Sequence, residues 1–214
     1  MRVHKFLSCK YGLRAIRERR LKISEIGTLN DPFDLIPFDL SDATLRKGVL
    51  ASRAEMGRDR GLLCFSRQWH NPVLWAHYAE SHRGLCLGFD VPDELTQAIR
   101  YVEHPIRLEH LDFETANSML FTKYDHWRYE DEVRMWATLE EKSGQYFFAD
   151  FGEKLRLVEI IAGAASSVTV RRMREALGPR SNGVNIVKAR LAYDAFAVIE
   201  DENGFGCGAD TARV

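Results

Sequence analysis

The hydrophobic and polar positions of this chain alternate with changing period, and the changes mark the elements. Val3 to Leu7 predicts a short strand. Cys9 to Arg20 has helical spacing, with Leu13 and Ile16 on the inner face and the stems of Arg17 and Arg20 beside them. Leu21 to Ser24 reads as a strand, Gly27 to Leu40 as a loop, and Ser41 to Asp59 as a helix capped by Ser41 or Asp42. Gly61 to Ser66 is an apolar run of strand length. Asn71-Pro72 then opens a helix, Asn as cap and Pro at the first turn, running to about Ser81. Leu85 to Asp90 is a strand, and Pro92 begins a short helix. Tyr101 to Ile106 reads as a strand and Asp112 to Phe121 as a helix. The Trp127 segment, Tyr146 to Ala149 and Leu155 to Ala162 follow as strands. Val168 to Leu177 is a helix closed by Gly178-Pro179, and Val184 to Leu191 and Phe196 to Glu200 are the last strands.

Helices and short strands alternate irregularly, which predicts an α+β domain: a single mixed, mostly antiparallel sheet with flanking helices. With no repeat or Pro/Ser-rich linker, residues 1–203 read as one globular domain and 204–214, rich in glycine, as a flexible tail. No glycine-rich loop joins a strand to a helix, so dinucleotide folds of the Rossmann type and P-loop enzymes are disfavoured.

The stretch Trp127-Arg128-Tyr129-Glu130-Asp131-Glu132-Val133-Arg134-Met135-Trp136 carries the most chemistry. Read as a strand, it places Glu130, Glu132 and Arg134 on one face and Tyr129, Asp131, Val133 and Met135 on the other. A carboxylate pair beside an arginine suits a site where positive charge develops on a substrate. The alternative is a cross-strand ion-pair ladder. Residues two apart on a strand lie about 6–7 Å apart, too one-sided for carboxylates that must flank a glycosidic bond.

Asn30-Asp31-Pro32-Phe33-Asp34 is a rigid turn or a ligand loop, with Phe33 placed to stack on a flat ligand. Ser66 ends an apolar strand, at a ligand or as a turn cap. Trp75, His77 and Tyr78 lie on one helix and divide between core packing and a site.

Composition changes this picture little. Lys+Arg (30) nearly cancel Asp+Glu (31), so no bulk charge draws the chain to nucleic acid or an anionic membrane. The early basic cluster Arg14, Arg17, Arg19, Arg20 and Lys22 reads as the wet face of a helix. Cys9, Cys64, Cys86 and Cys207 show neither zinc nor disulfide spacing, which fits a reducing cytoplasm, and no run is long enough to span a membrane. His77 and His82 are five apart, so no metal site is expected, which also counts against a nuclease-type effector.

Several segments together resemble the bacterial family called domain of unknown function 2971: His4-Lys5-Phe6, Asn30-Asp31-Pro32-Phe33-Asp34, Cys64-Phe65-Ser66, Trp75-Ala76-His77-Tyr78-Ala79 with His82 and Gly84, and Trp127-x-Tyr-Glu-x-Glu-x-Arg134. More distantly, Glu130-Asp131-Glu132-Val133 resembles the Glu-x-Glu-Val strand of ADP-ribosyltransferases, including their DarT-like branch. The chain departs from that pattern in having Phe65-Ser66-Arg67 where a Ser-Thr-Ser motif stands, and Leu7 in place of an early arginine.

The second resemblance implies an ADP-ribosyltransferase-like split sheet and NAD as substrate, without metal. It implies Glu132 as the catalytic acid at the ribose 2′-hydroxyl and Glu130 as the base that orients the acceptor. Lys5 or Arg134 would meet the pyrophosphate or hold the Glu in place, Phe33, Trp75 or Tyr78 would stack on nicotinamide or adenine, and His4, Asn30, Asp31, Ser66 and His77 complete the candidate cofactor-binding residues. Such transferases modify nucleic acid or protein, often as toxins or phage-defence effectors with an antitoxin. The competing expectation is a non-catalytic sensor for a nucleotide-like ligand.

Overall fold

A computed structural model describes residues 1–108, 110–180 and 183–205. In chain order the elements are β1 (Arg2–Leu7), α1 (Cys9–Glu18), β2 (Arg20–Lys22), β3 (Ser24–Glu25), α2 (Ala43–Met56), β4 (Arg60–Ser66), α3 (Pro72–Tyr78), β5 (Leu85–Asp90) and β6 (Gln97–Ala98). Then come β7 (Arg100–Val102), α4 (Phe113–Ser118), β8 (Thr122–Tyr124), β9 (Glu132–Thr138), β10 (Phe148–Asp150), β11 (Arg156–Ala162), α5 (Val170–Leu177), β12 (Asn185–Leu191) and β13 (Val198–Glu200). The class is α+β, with a large mixed set of β-ladders. Most are antiparallel; β11–β12 and β7–β8 are parallel.

The single domain read from the sequence groups into two compact units. One comprises residues 1–20, 67–91 and 151 onward; the other comprises 21–66 and 92–150. The expected tail begins with a turn in which Gly204 N–H donates to Asp201 O. Residues 206–214, with Cys207, lie outside the described residues.

In the first unit the strand order is β13-β12-β11-β5-β1. β5 is buried along nearly its whole length, as its apolar sequence requires. Helix α1 starts at Ser8, whose hydroxyl accepts from Tyr11 N–H, and buries Gly12, Leu13, Ala15 and Ile16. A Cβ at Gly12 would come within 2.9 Å of Leu85 Cδ1, so glycine here lets the helix approach β5 closely. The helix stops at Glu18, short of Arg20, because Arg19 turns left-handed and its N–H returns to Ala15 O. Arg17 is exposed rather than packed on the core. Arg14 and Arg20 both bond Glu18, as a solvated basic face would.

Helix α3 also ends early, at Tyr78 rather than near Ser81. Glu80, Ser81 and His82 all take positive φ (53°, 52° and 67°), which no α-helix accommodates. The left-handed run is held by His82 N–H to Trp75 O (3.1 Å), Gly84 N–H to Ala79 O (2.8 Å) and Ala165 N–H to His82 O (3.0 Å). It also brings the Glu80 carboxylate to the first N–H of α1, at Cys9 (3.0 Å).

In the second unit β3, β4, β9 and β6 form an antiparallel set, with β4 paired to β9 along its length. Its core joins Ile26, Leu35, Phe38, Val49, Leu62, Ile99, Met119, Leu120 and Phe121. The expected strand from Trp127 is corrected here. Asp125–Glu130 form a 3-10 helix, Asp131 is left-handed (φ 45°) and the strand begins only at Glu132. An Arg128–Asp125 ion pair one turn apart supports the helical segment, and Asp131 N–H closes it on Arg128 O. Strand propensity of the Trp and Tyr positions is overridden by this local pairing.

Candidate functional site

The second unit contains a buried cluster of five charged side chains: Asp34, Lys123, Glu130, Glu132 and Arg134. Each is placed by a different local device. Asp31 accepts from Phe33 N–H (2.9 Å), Asp34 N–H returns to Asp31 O, and Leu35 is left-handed and fully buried. This compact turn points the Asp34 carboxylate inward. Lys123 sits on β8 opposite Tyr101 on β7, and its ammonium lies 4.7 Å from the Trp127 ring centroid. Glu132 and Arg134 share a face of β9, two residues apart.

The bonds form one network. Lys123 Nζ donates to Glu130 Oε2 (2.6 Å) and Glu132 Oε2 (3.0 Å). Arg134 donates from Nε to Glu132 Oε1 (2.7 Å), from Nη2 to Asp34 Oδ2 (2.8 Å) and from Nη1 to the Leu120 carbonyl (2.8 Å). Glu132 N–H donates to the Tyr101 hydroxyl (2.9 Å). Asp34 Oδ1 is buried without a hydrogen-bond partner among the described residues. Three carboxylates therefore face two cations, a net charge of −1 if all are ionised.

The electrostatics follow from burial set against pairing. Burial pushes the Glu132 carboxyl up, but Arg134 and Lys123 together outweigh it and hold it at about 2. Burial pulls Lys123 and Arg134 down, and the carboxylates more than reverse it, so both are raised. Asp34 goes the other way. Its burial outweighs the pull of Arg134 and Lys123, so its carboxyl is raised. Burial, with the nearby carboxylates adding to it, pushes the Tyr101 phenol up to about 12.

The site residues expected from sequence divide between the units. Glu130, Glu132 and Arg134 come together, although Glu130 reaches Lys123 from the 3-10 helix and not from the strand. Ser66 is buried and is the register partner of Glu132 across the β4–β9 ladder, so the two share a face. Asn30 is exposed and Phe33 is 72% exposed. Asp31 is buried, and its Oδ1 accepts from Phe33 N–H within its own turn.

His4, Lys5, Trp75, His77 and Tyr78 belong to the first unit. His4 is buried with Nε2 3.9 Å from Glu159 Oε2, and Lys5 is half-buried and alternates with it on β1. His77 is exposed and Tyr78 half-buried. Trp75 takes the core-packing alternative in this structure: it is 0% exposed, donates to Trp69 O (2.6 Å) and meets Phe6 edge-on.

The sequence reading overlooked Lys123, Asp34 and Tyr101. Lys123 had a signal, being the sole charge between Ala116 and Tyr124. Asp34 lies inside the Asn30–Asp34 motif, but nothing in the sequence pairs it with a residue a hundred positions later. Among the described residues, no group of three or more His, Cys, Asp and Glu is arranged to hold a metal, and no helix is long and apolar enough to cross a membrane. No family model, curated protein or solved structure matches the chain.

Proposed function

We propose that this chain is an ADP-ribosyltransferase-like protein of the 2971 type, consuming NAD to modify a nucleic-acid or protein acceptor as a bacterial toxin or phage-defence effector. The observation that carries the reading is Ser66 directly opposite Glu132 in the β4–β9 ladder, with Arg134 two residues further on. Breaking the nicotinamide–ribose bond leaves its electron pair on nicotinamide and positive charge on C1′. Glu132, ionised well below neutral pH, accepts the ribose 2′-hydroxyl and strengthens that bond as the charge grows. The acceptor forms the new bond at C1′ and passes its proton to Glu130. Arg134 holds Glu132 in place. In the resting structure Lys123 occupies Glu132 Oε2, so this mechanism requires the ammonium to turn from the carboxylate to the ligand's pyrophosphate.

The test is nicotinamide release from NAD by the purified chain, followed by chromatography. The expected result is slow release without acceptor and none from Glu132→Gln, compared at a temperature where circular dichroism shows both folded. Equal release by the two proteins overturns the role of Glu132.

A second reading is favoured by one observation: Glu132 is only 4% exposed and both its oxygens are already bonded. A carboxylate so committed suits a non-catalytic module that binds a nucleotide-like ligand. NAD binding without nicotinamide release would select this reading.

A further inference from the structure

Within the second unit, the C-terminal end of α2 and the turn after it face α4 across a groove of about 410 Å³. That volume lies in the range of small-ligand sites, ~300–1,000 Å³. The half-buried Trp136 on β9 contributes a wall, and Met56, Ala116 and Leu120 supply the remaining apolar lining. The indole is oriented from behind by Phe121, ring centroids 6.1 Å apart and nearly perpendicular. In front of it stands Arg60, whose guanidinium carbon is 5.9 Å from the ring centroid and whose side chain is 61% exposed. The spacing is too wide for direct stacking, and the exposed side chain is able to swing. A flat ring sliding against the indole would therefore meet a second planar wall.

The rim decides what kind of ring. Arg58 and Arg60 are balanced by Glu55 and Asp59, so charge does not select an anion or a cation. The exposed Asn117 on α4 brings a side-chain amide to the same groove. An amide sets an NH2 donor beside a C=O acceptor, the complement of the ring nitrogen and amino group along the edge of adenine. Stacking on an indole, an arginine that closes over it and an amide at the edge together describe a nucleobase site.

We propose that this groove binds the base of an adenine nucleoside. The inference does not rest on NAD chemistry: the lining residues are not those of the carboxylate cluster, and adenosine has no nicotinamide to release. The groove and the cluster are nevertheless joined, because the Leu120 backbone carbonyl accepts from Arg134 Nη1.

The experiment uses adenosine as probe and the full chain, read by the indole N–H resonance of Trp136 in proton–nitrogen correlation spectra. The expected result is a saturable shift of that resonance. Arg60→Ala should weaken binding about 2- to 5-fold, the size of an exposed cation–π contact. Trp136→Leu, which lacks that resonance and is titrated with adenosine by calorimetry instead, should weaken it about 5-fold or more, as loss of base stacking does. Asn117→Ala should erase the preference for adenosine over uridine. Arg60 and Asn117 are exposed, so their variants keep the test valid should Trp136→Leu fold poorly. No shift at millimolar adenosine, or binding that all three variants leave unchanged, overturns the proposal. Equal affinity of the unaltered protein for uridine overturns the assignment to adenine.

Discussion

Replacing Arg134 by Met is expected to lower the free energy of unfolding by about 3–5 kcal/mol, the usual cost of removing one partner from a buried ion network. The guanidinium is 0% exposed and makes bonds to Glu132, Asp34 and the Leu120 carbonyl. Met fills much of the same space, so the loss comes from stranded acceptors rather than from a cavity. Lys at this position keeps the charge but cannot reach Glu132, Asp34 and Leu120 together, so Arg134→Lys should fall between wild type and Met. Urea denaturation at neutral pH measures all three. Adding Glu132→Gln to Arg134→Met should cost less than the sum of the two single changes, because the carboxylate stranded by the first change is no longer charged. Strict additivity would mean that the two side chains do not interact.

The second large effect is on acid stability. The Glu132 carboxyl is depressed from its ordinary 4.5 to about 2, so its contribution is present above pH ~4.5 and is lost as pH falls towards 2. A displacement of that size corresponds to stability on the order of 3 kcal/mol at about 1.36 kcal/mol per pH unit. Asp34 has the opposite sign. Its carboxyl is raised, so keeping it ionised near neutral pH costs stability, and the cost is relieved as pH falls through its folded value. The measurement is unfolding free energy against pH for wild type and Glu132→Gln, whose difference removes the contribution of the other carboxylates. The gap should narrow steadily below pH ~4.5. Curves that stay parallel down to pH ~2 would show that Glu132 is not held low.

Much of the framework was legible from local pattern. Asn71-Pro72 starts α3, Asp42 caps α2 and the apolar runs of β4, β5 and β11 are where their periodicity puts them. What local pattern could not supply was the reversal of chain direction. The left-handed residues Arg19, Glu80–His82 and Asp131 carry ordinary side chains rather than glycine, and they stop α1, α3 and the expected Trp127 strand through backbone bonds that residue type does not announce: local returns at Arg19 and Asp131, and the longer-range Ala165 N–H to His82 O bond after α3. The shared face of Glu132 and Arg134 was readable from a two-residue period. Its burial against Asp34 and Lys123 was not, since those contacts join residues far apart in sequence. Trp75 shows the limit from the other side: an indole suits a ligand face and a core equally, and only the neighbours Phe6 and Trp69 decide.

The charge network has a functional implication through its imbalance. With all three carboxylates ionised the set carries one surplus negative charge, and Asp34 Oδ1 has no hydrogen-bond partner among the described residues. In the NAD reading, a ligand that draws Lys123 onto its pyrophosphate exposes Glu132 to the cationic ribose at the same moment. The same displacement would release Glu130 to serve as base.

Calorimetric titration of the intact chain with millimolar NAD tests this directly, with Ser66→Val and Lys123→Met titrated alongside. A saturable heat in the wild-type protein, weakened in Ser66→Val and further in Lys123→Met, is the predicted result. Absence of heat in the wild-type protein would contradict it, as would affinity that neither substitution changes.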